Sequence, residues 1–478
     1  MDTLSPDAWR YIDYLNFKYD CLFDQEQIKV LIDVPKATSF HQELTKLQEE
    51  KFAVLKSVMP KKPNLKAINR PKKEYKDNGE PTALFVKFEA KRKEHNQHVD
   101  VKTFNIIDGY EDGNPNSIPQ VKDWLYDMGW EPCTYKYADG KEVPQIRYFK
   151  ANDPRKGELT ASVLRLAEKI PEVAEFAGLS VISATKSRLI NNSGAGLLGG
   201  VDKDGYVVAG ARGLTNTLRF KHRAPIANLT KVGVKYGKEI RSLLIAPEGY
   251  VYCGADQDSL EQNTKMHYMF KHDPEYVKTQ QVDGFDAHLD LAKFSGKFTQ
   301  EEIDLHNNTG HLSKERGKWK QTNYSATYGI QPRGLSRDGG FSLKEATEML
   351  DAFWKRNWSL EAIAKEVKTK KTRDGLVWLY NPVSGFWYNL RHDKDKFSTL
   401  NQGTGVYAFD LWLMGCKDRG LDVVFQYHDE ATFLVKSGDE PRVAVIVQEA
   451  QDEANEKLKL NVTLSTTPQF GNNYAEIH

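Results

Sequence analysis

The spacing of hydrophobic and polar residues changes several times along this chain, and each change marks an element. Residues 1–30 are aromatic and helical in pattern, and Asp33-Val34-Pro35-Lys36 then introduces a long amphipathic helix running to about Val58. Val121, Trp124, Leu125 and Met128 form the buried stripe of another helix, which Ser117 should cap with Pro119 in its first turn. Gly194 to Gly213 is rich in glycine and reads as turns between short strands. Tyr250 to Ala255 is a short β-rich apolar run, hence a buried strand that delivers Asp256 at its end, and Leu260 and Glu261 open the helix that follows. Val423 to Tyr427 and Ala431 to Val435 are two more strands, joined across His428-Asp429-Glu430 into a hairpin with acids at its turn. Acids at a hairpin tip are by default solvated turn formers.

One stretch carries a polar rather than an apolar stripe. Each helical residue turns the chain by ~100°, so residues four apart lie nearly on one line. Arg316, Lys320, Tyr324 and Tyr328 stand at such positions, and Gly329 is placed to end the helix. Two cations followed by two rings suit a nucleoside triphosphate lying along the helix, its charged tail at the cationic end and its base near the rings. Taken alone, such a stripe is more often that of a solvated helix whose tyrosines pack inward.

Composition narrows the class. The chain has 478 residues, enough for two or three subdomains, with 40% hydrophobic and 28% charged residues, and no long apolar run that could span a membrane. The N-terminal residues lack the basic and apolar sections of a signal peptide, which predicts a cytoplasmic protein. Cys21, Cys133, Cys253 and Cys416 are far apart, with no Cys-x-x-Cys pair for zinc or redox work, and are expected to be reduced and structural. Sixty-seven Lys and Arg stand against 66 Asp and Glu, so a nucleic-acid partner has to be met by segregated charge. The richest basic run lies between about residues 60 and 113, from Lys61 and Lys62 to Lys91-Arg92-Lys93, and as charge alone reads as a solvated loop.

The pattern Arg316-x-x-x-Lys320-x-x-x-Tyr324-x-x-x-Tyr328-Gly329 resembles motif B on the fingers helix of family A DNA polymerases. Asp256 and Glu261 keep the two important spacings of that family's motif A, whereas Asp258, Gln262 and Asn263 depart from it. His428-Asp429-Glu430 resembles motif C, and the three motifs come in the family's order. Asn401-Gln402-Gly403-Thr404 resembles the segment whose glutamine touches the minor groove, and Gly237 to Arg241 resembles a primer-side contact. The segment carrying Arg219 and Asn228 fits the template-primer region more loosely. Asn114 to Ser117 and Trp124 to Trp130 are similar to bacteriophage replicative members, as is the terminal His478.

The resemblance implies an α+β right-hand polymerase fold, an antiparallel palm sheet with helical fingers and thumb. Its divisions would be an N-terminal helical segment at 1–35, a thumb at 36–190 with a basic insertion at about 60–113, a palm at 191–262 and 380–478, and fingers at 263–379. It implies addition of deoxynucleotides (dNTPs) to a primer 3′-hydroxyl on primer-template DNA, for phage genome replication in an infected bacterial cell. Asp256 and Asp429, with the carbonyl of Gln257, would hold two Mg²⁺ ions. Arg316 and Lys320 would meet the triphosphate, with Lys320 protonating the leaving pyrophosphate, and Tyr324 and Tyr328 would meet the base and sugar. Glu261 would exclude a 2′-hydroxyl. Arg219, Arg241, Arg391, Gln402, His428 and Glu430 would contact DNA. No exonuclease carboxylate pair is found near the start, so proofreading is expected from a separate subunit docking near 1–35, and the basic insertion is expected to retain DNA or a processivity factor. Two rivals stay open: a single-subunit RNA polymerase, which Glu261 opposes, and a catalytically weak DNA-binding accessory protein, which Asp258 and Asn263 favour.

Overall fold

The structure is a computed structural model that describes residues 5–138, 141–149, 155, 157–227, 229–339 and 341–477. The chain divides into two compact units, one comprising Met1–Thr45, Phe149–Lys156 and Val181–His478, the other Lys46–Tyr148 and Gly157–Ser180.

At the centre of the larger unit lies a four-stranded antiparallel sheet, in the order Asp422–Tyr427, Glu430–Lys436, Tyr250–Gln257, Thr466–Gly471. Pro468 can sit in the last of these because that strand is at the sheet edge, where one backbone N–H is not needed for pairing. Gly254 lies where a Cβ would stand 2.7 Å from the Ile477 side chain, so the C-terminal segment packs directly on the middle of its strand. The helices Lys396–Asp418 and Glu440–Leu458 pack with the sheet through Trp412, Phe409, Phe433 and Val447, all buried. Removing a side chain such as Trp412 would cost about 3–5 kcal/mol in lost burial and cavity.

The N-terminal helix Pro6–Ile28 begins on Ser5, whose hydroxyl accepts from the Ala8 amide. It belongs to the same core. Lys18 and Tyr14 both donate to the buried carboxylate of Asp410 on the Lys396–Asp418 helix, and Cys21 is enclosed beside them. Trp9, Tyr19 and Phe23 on this helix remain exposed. A second core holds the helices between 274 and 366, where Trp319, Leu335, Leu350, Phe353 and Leu360 interlock. Ser342 and Glu345 close a reciprocal capping box at the start of the Leu343–Arg356 helix.

In the smaller unit, Val121, Trp124 and Leu125 are buried with Trp130, Phe176 and Leu179. Met128 is exposed, because the Ile118–Asp127 helix ends just before it, and Ser117 occupies the N-cap without a side-chain cap bond. The basic stretch is a folded element rather than a loop. Lys62–Asn69 and Thr103–Glu111 pair as a ribbon against the Ala83–Glu94 helix, around Phe85, Phe88, Phe104 and Ile106. Its twelve Lys and Arg face nine Asp and Glu between 60 and 113, and many are neutralised in place, as in Lys66–Asp108, Arg70–Glu74, Lys73–Asp77 and Arg92–Glu89.

The glycine-rich stretch also differs from a simple hairpin. Tyr206–Val207 pairs with Val30–Ile32, and Ala211–Leu214 pairs with Phe220–His222. Of the four free cysteines, Cys133 is exposed, so only the other three are core residues.

Candidate active site

The Tyr250–Gln257 strand buries Tyr252 to Ala255 and Gln257 and leaves Asp256, near its end, as the one of these side chains that reaches the surface, partly enclosed by its neighbours. In the register of the sheet, Asp256 lies opposite Glu430, and the Gln257 amide donates to the Asp429 carbonyl at 3.1 Å. Adjacent strands thus fix Asp256 and Asp429 side by side. His428, at φ +63°, supplies the left-handed residue that the tight turn needs.

Like charges this close oppose ionisation. Desolvation, then the charges of Asp429, Glu430 and Asp258, push the Asp256 carboxyl up to about 7. Asp429 is also raised, chiefly by burial, with Arg219 pulling the other way. Burial and the Arg219 charge hold His428 down at about 4, and the neighbouring His222 is pushed to about 4 by burial and by His428. Both histidines are therefore neutral at physiological pH.

Glu261, in the first turn of the Leu260–Met269 helix, is fixed from three sides. Tyr328 donates its hydroxyl to one carboxylate oxygen, Arg219 Nη2 stands 3.5 Å from the other, and Asn401 Nδ2 donates to the Glu261 backbone carbonyl at 3.0 Å. Gln402 hydrogen-bonds the Tyr328 side chain. Burial and Glu261 both raise the Tyr328 phenol, and Tyr324, exposed on the same helix, is raised by burial, Glu261 and Asp429. The tyrosine end of the Ser313–Thr327 helix therefore overlooks the carboxylates. Gly329, at φ +71°, ends it, as the sequence predicts.

The cationic end of the stripe is arranged differently. Arg316 is paired with Asp286, the N-cap of the Ala287–Phe294 helix. Lys320 is exposed and lies 5.9 Å from the centre of the Tyr324 ring, with the His288 ring 5.6 Å from the same ring. Arg241 donates Nε to the Thr230 carbonyl at 2.9 Å and stacks on Tyr474, whose hydroxyl reaches Glu430 at 3.4 Å. Arg391 is exposed just beyond the Trp387–Leu390 strand. The Gln257 side chain is buried and donates to Gln451, so only its backbone is left to meet a ligand. Asp258 is engaged by Ser465, which donates its hydroxyl at 2.7 Å. Asn228 and His478 lie outside the described residues.

Several partners escape a reading of the sequence. Asp286 and Asn401 act on Arg316 and Glu261 from elsewhere in the chain, and only the helix-capping context of Asp286 hints at its place. Tyr474 and His222 carry no motif.

Among the described residues no three His, Cys, Asp or Glu side chains converge to hold an ion unaided. Asp256 and Asp429 on adjacent strands would fit Mg²⁺, which binds through one or two carboxylates and completes its shell with water and substrate phosphates. Burial, with repulsion from Asp429, Glu430 and Asp258 added to it, raises Asp256, and a bound cation would oppose both.

Comparison with known proteins bears on this geometry. Residues 181–381 match the model of DNA polymerase family A. The chain is 25% identical over 268 residues to DNA polymerase I of Pseudomonas aeruginosa, covering 51% of this chain and 27% of that one. It is 22% identical over 363 residues to DNA polymerase I of Helicobacter pylori, covering 70% and 38%. The chain thus spans well under half the length of these curated relatives. A solved structure, the POL domain of Pol1 from M. smegmatis in complex with DNA primer-template and dNTP, superposes with a TM-score of 0.61 at 17% identity, covering 96% of this chain and 69% of that one. The fold is therefore the right-hand polymerase fold, with mixed helix and sheet.

Proposed function

We propose that this chain is a template-directed DNA polymerase that adds deoxynucleotides to a primer 3′-hydroxyl, and that it serves replication of a bacteriophage genome. The observation that carries the reading is the meeting of Asp256 and Asp429 beneath a helix end whose Tyr328 holds Glu261 in place. The family match, and the relatives named DNA polymerase I, support the polymerase part of this reading, while the bacteriophage part rests on the resemblance of Asn114 to Ser117 and Trp124 to Trp130.

In this reading Asp256 and Asp429 hold two Mg²⁺ ions, which when bound stabilise charge on the attacking and leaving oxygens of an in-line displacement. The remaining work belongs to the chain. Lys320 meets the triphosphate and gives a proton to the departing pyrophosphate. Arg316 reaches the phosphates by exchanging its Asp286 partner for them, a swap of one anion for another. Tyr324 and Tyr328 line the sugar and base. Glu261, held by the Tyr328 hydroxyl and more loosely by Arg219, excludes a 2′-hydroxyl, which is what separates this reading from an RNA polymerase. Arg241, Arg391, Gln402, His428 and Glu430 steady the primer and template, and the smaller unit takes the part of the thumb.

Primer extension with Mg²⁺ is the test. Incorporation of deoxynucleotides in preference to ribonucleotides supports the reading. Preferred ribonucleotide use, or DNA binding with no extension, overturns it.

A further inference from the structure

A three-stranded antiparallel sheet, Thr369–Lys371, Val377–Tyr380 and Trp387–Leu390, turns one face into the protein and the other outward. Leu379, Tyr388 and Leu390 are buried beneath it. Residues directly opposite each other share a face, as do residues two apart on one strand. Lys370 pairs with Trp378, Tyr380 pairs with Trp387, and the Tyr380 amide bonds the Lys368 carbonyl, so Lys368, Lys370, Trp378, Tyr380 and Trp387 all stand on the outer face.

The charges on this face differ from those of the 60–113 element. Lys368 and Lys370 on this face, with Lys371 and Arg373 at its margin, are exposed, and among the described residues none has a carboxylate partner. The nearby Glu366 is engaged by Lys271 and His272, and Asp374 accepts hydrogen bonds within its own turn. The lysines rest instead on the rings: Lys370 Nζ is 4.3 Å from the Trp387 centroid, and Lys368 Nζ is 5.6 Å from that of Tyr380. Flat rings beside cations that lack anions match a single strand of nucleic acid, whose bases stack and whose phosphates draw the ammonium groups off the rings.

The position of this face selects the strand. The Asn216 side chain donates to the Asn389 carbonyl at 3.0 Å, tying the outermost strand to the turn that precedes Arg219. The segment leaving that strand crosses the end of the tyrosine helix, where the Lys394 carbonyl would stand 3.2 Å from a Cβ on Gly329. If the incoming base lies at the tyrosine end, its template partner lies beside it, and the next unpaired template nucleotides pass this sheet.

We infer that the outer face of the 369–390 sheet is a binding platform for the unpaired 5′ extension of the template, with Lys368 and Lys370 on its phosphates and Trp378, Tyr380 and Trp387 as the stacking surface. The inference rests on the polymerase reading for the identity of the strand. Its test is equilibrium binding of the full chain to two primer-templates, one with a one-nucleotide and one with an extension of about twelve nucleotides, in the wild type and in K368E/K370E. The wild type should bind the long extension about tenfold more tightly. The double variant should narrow that gap to about twofold and reduce the salt dependence by two single-strand phosphate contacts, a slope change of about 1.4, while keeping its affinity for the short extension. Trp378→Ala should narrow the gap without altering the salt slope. No preference for the long extension in the wild type, or equal loss for both substrates in K368E/K370E, overturns the inference. Primer extension on the short substrate separates the two readings: a chain that extends it but ignores the overhang fails here alone, and one that shows the overhang effect without extension fails only as a polymerase.

Discussion

Tyr328→Phe tests how firmly the sugar-excluding carboxylate is held. The substitution keeps the ring and removes one hydroxyl, which donates to Glu261. A hydrogen bond to a charged group contributes about 1.5–3 kcal/mol. The Glu261 side chain is 26% exposed, so water recovers part of that, leaving about 1–2 kcal/mol. Arg219 remains, but at 3.5 Å and itself 26% exposed it is a weak tether. At 1.36 kcal/mol per tenfold, the released carboxylate should relax discrimination against ribonucleotides by roughly 5- to 30-fold. The measurement is the ratio of kcat/KM for a deoxynucleotide and its ribonucleotide in single-nucleotide incorporation, beside Glu261→Ala. Because Tyr328 acts through Glu261, its variant cannot relax selection further than Glu261→Ala does. An unchanged ratio, or a larger effect for Tyr328→Phe than for Glu261→Ala, would refute the reasoning.

Asp256→Ala or Asp429→Ala should abolish extension while leaving primer-template affinity within a few fold, since phosphate contacts elsewhere carry binding, and a gel-shift titration beside an extension assay checks both. Extension should decline as pH falls, because the Asp256 carboxyl becomes protonated and cannot take a cation, with a midpoint below the metal-free value of about 7 that higher Mg²⁺ moves further down. By linkage the Asp256 carboxyl takes stability from the metal-free protein as pH rises from about 4 to 7, since its native form holds a proton that the unfolded form has released, while His222 and His428 add stability over part of the same window; in a melting series in chelator the difference between wild type and Asp256→Asn reads the Asp256 share, and a difference that does not grow with pH would show the raised value to be wrong. Asp258→Ser removes one of the charges acting on Asp256 and should shift the pH midpoint of extension downward, with an unmoved midpoint counting against that coupling. Tyr324→Phe should select against dideoxynucleotides by roughly ten- to a hundredfold, as the cost of leaving a polar group unpaired implies; identical termination ladders for variant and wild type would reject a sugar contact.

The parts of this site that could be read in the sequence are those fixed by local rules. A buried strand has to end somewhere, and the change from Ala255 to Asp256 marks where; the hairpin of Asp429 lies between two apolar runs; Tyr324 and Tyr328 share a helix line with Arg316 and Lys320. What stayed hidden was pairing between distant segments. Nothing local tells that Asp286 will neutralise Arg316 or that Asn401 will brace Glu261. The basic 60–113 stretch misleads for the same reason, since Lys66 meets Asp108 only once its two strands are paired. The edge strand Thr466–Gly471 was obscured by Pro468, which breaks the β pattern in sequence and is harmless at an edge.

The clasp between Lys18 and Asp410 sets a schedule for biogenesis. The two residues are 392 positions apart, so at about 5–20 residues per second a ribosome needs roughly 20–80 s to deliver Asp410 after Lys18. For that interval the Pro6–Ile28 helix has no buried anion for its lysine and no cover for Cys21, while the segments of the smaller unit, the last ending at Ser180, are completed well before the interval closes. Chains stalled before residue 410 should therefore be cut by protease within that first helix, and chains stalled well after it should resist, making the first helix synthesised among the last to be secured.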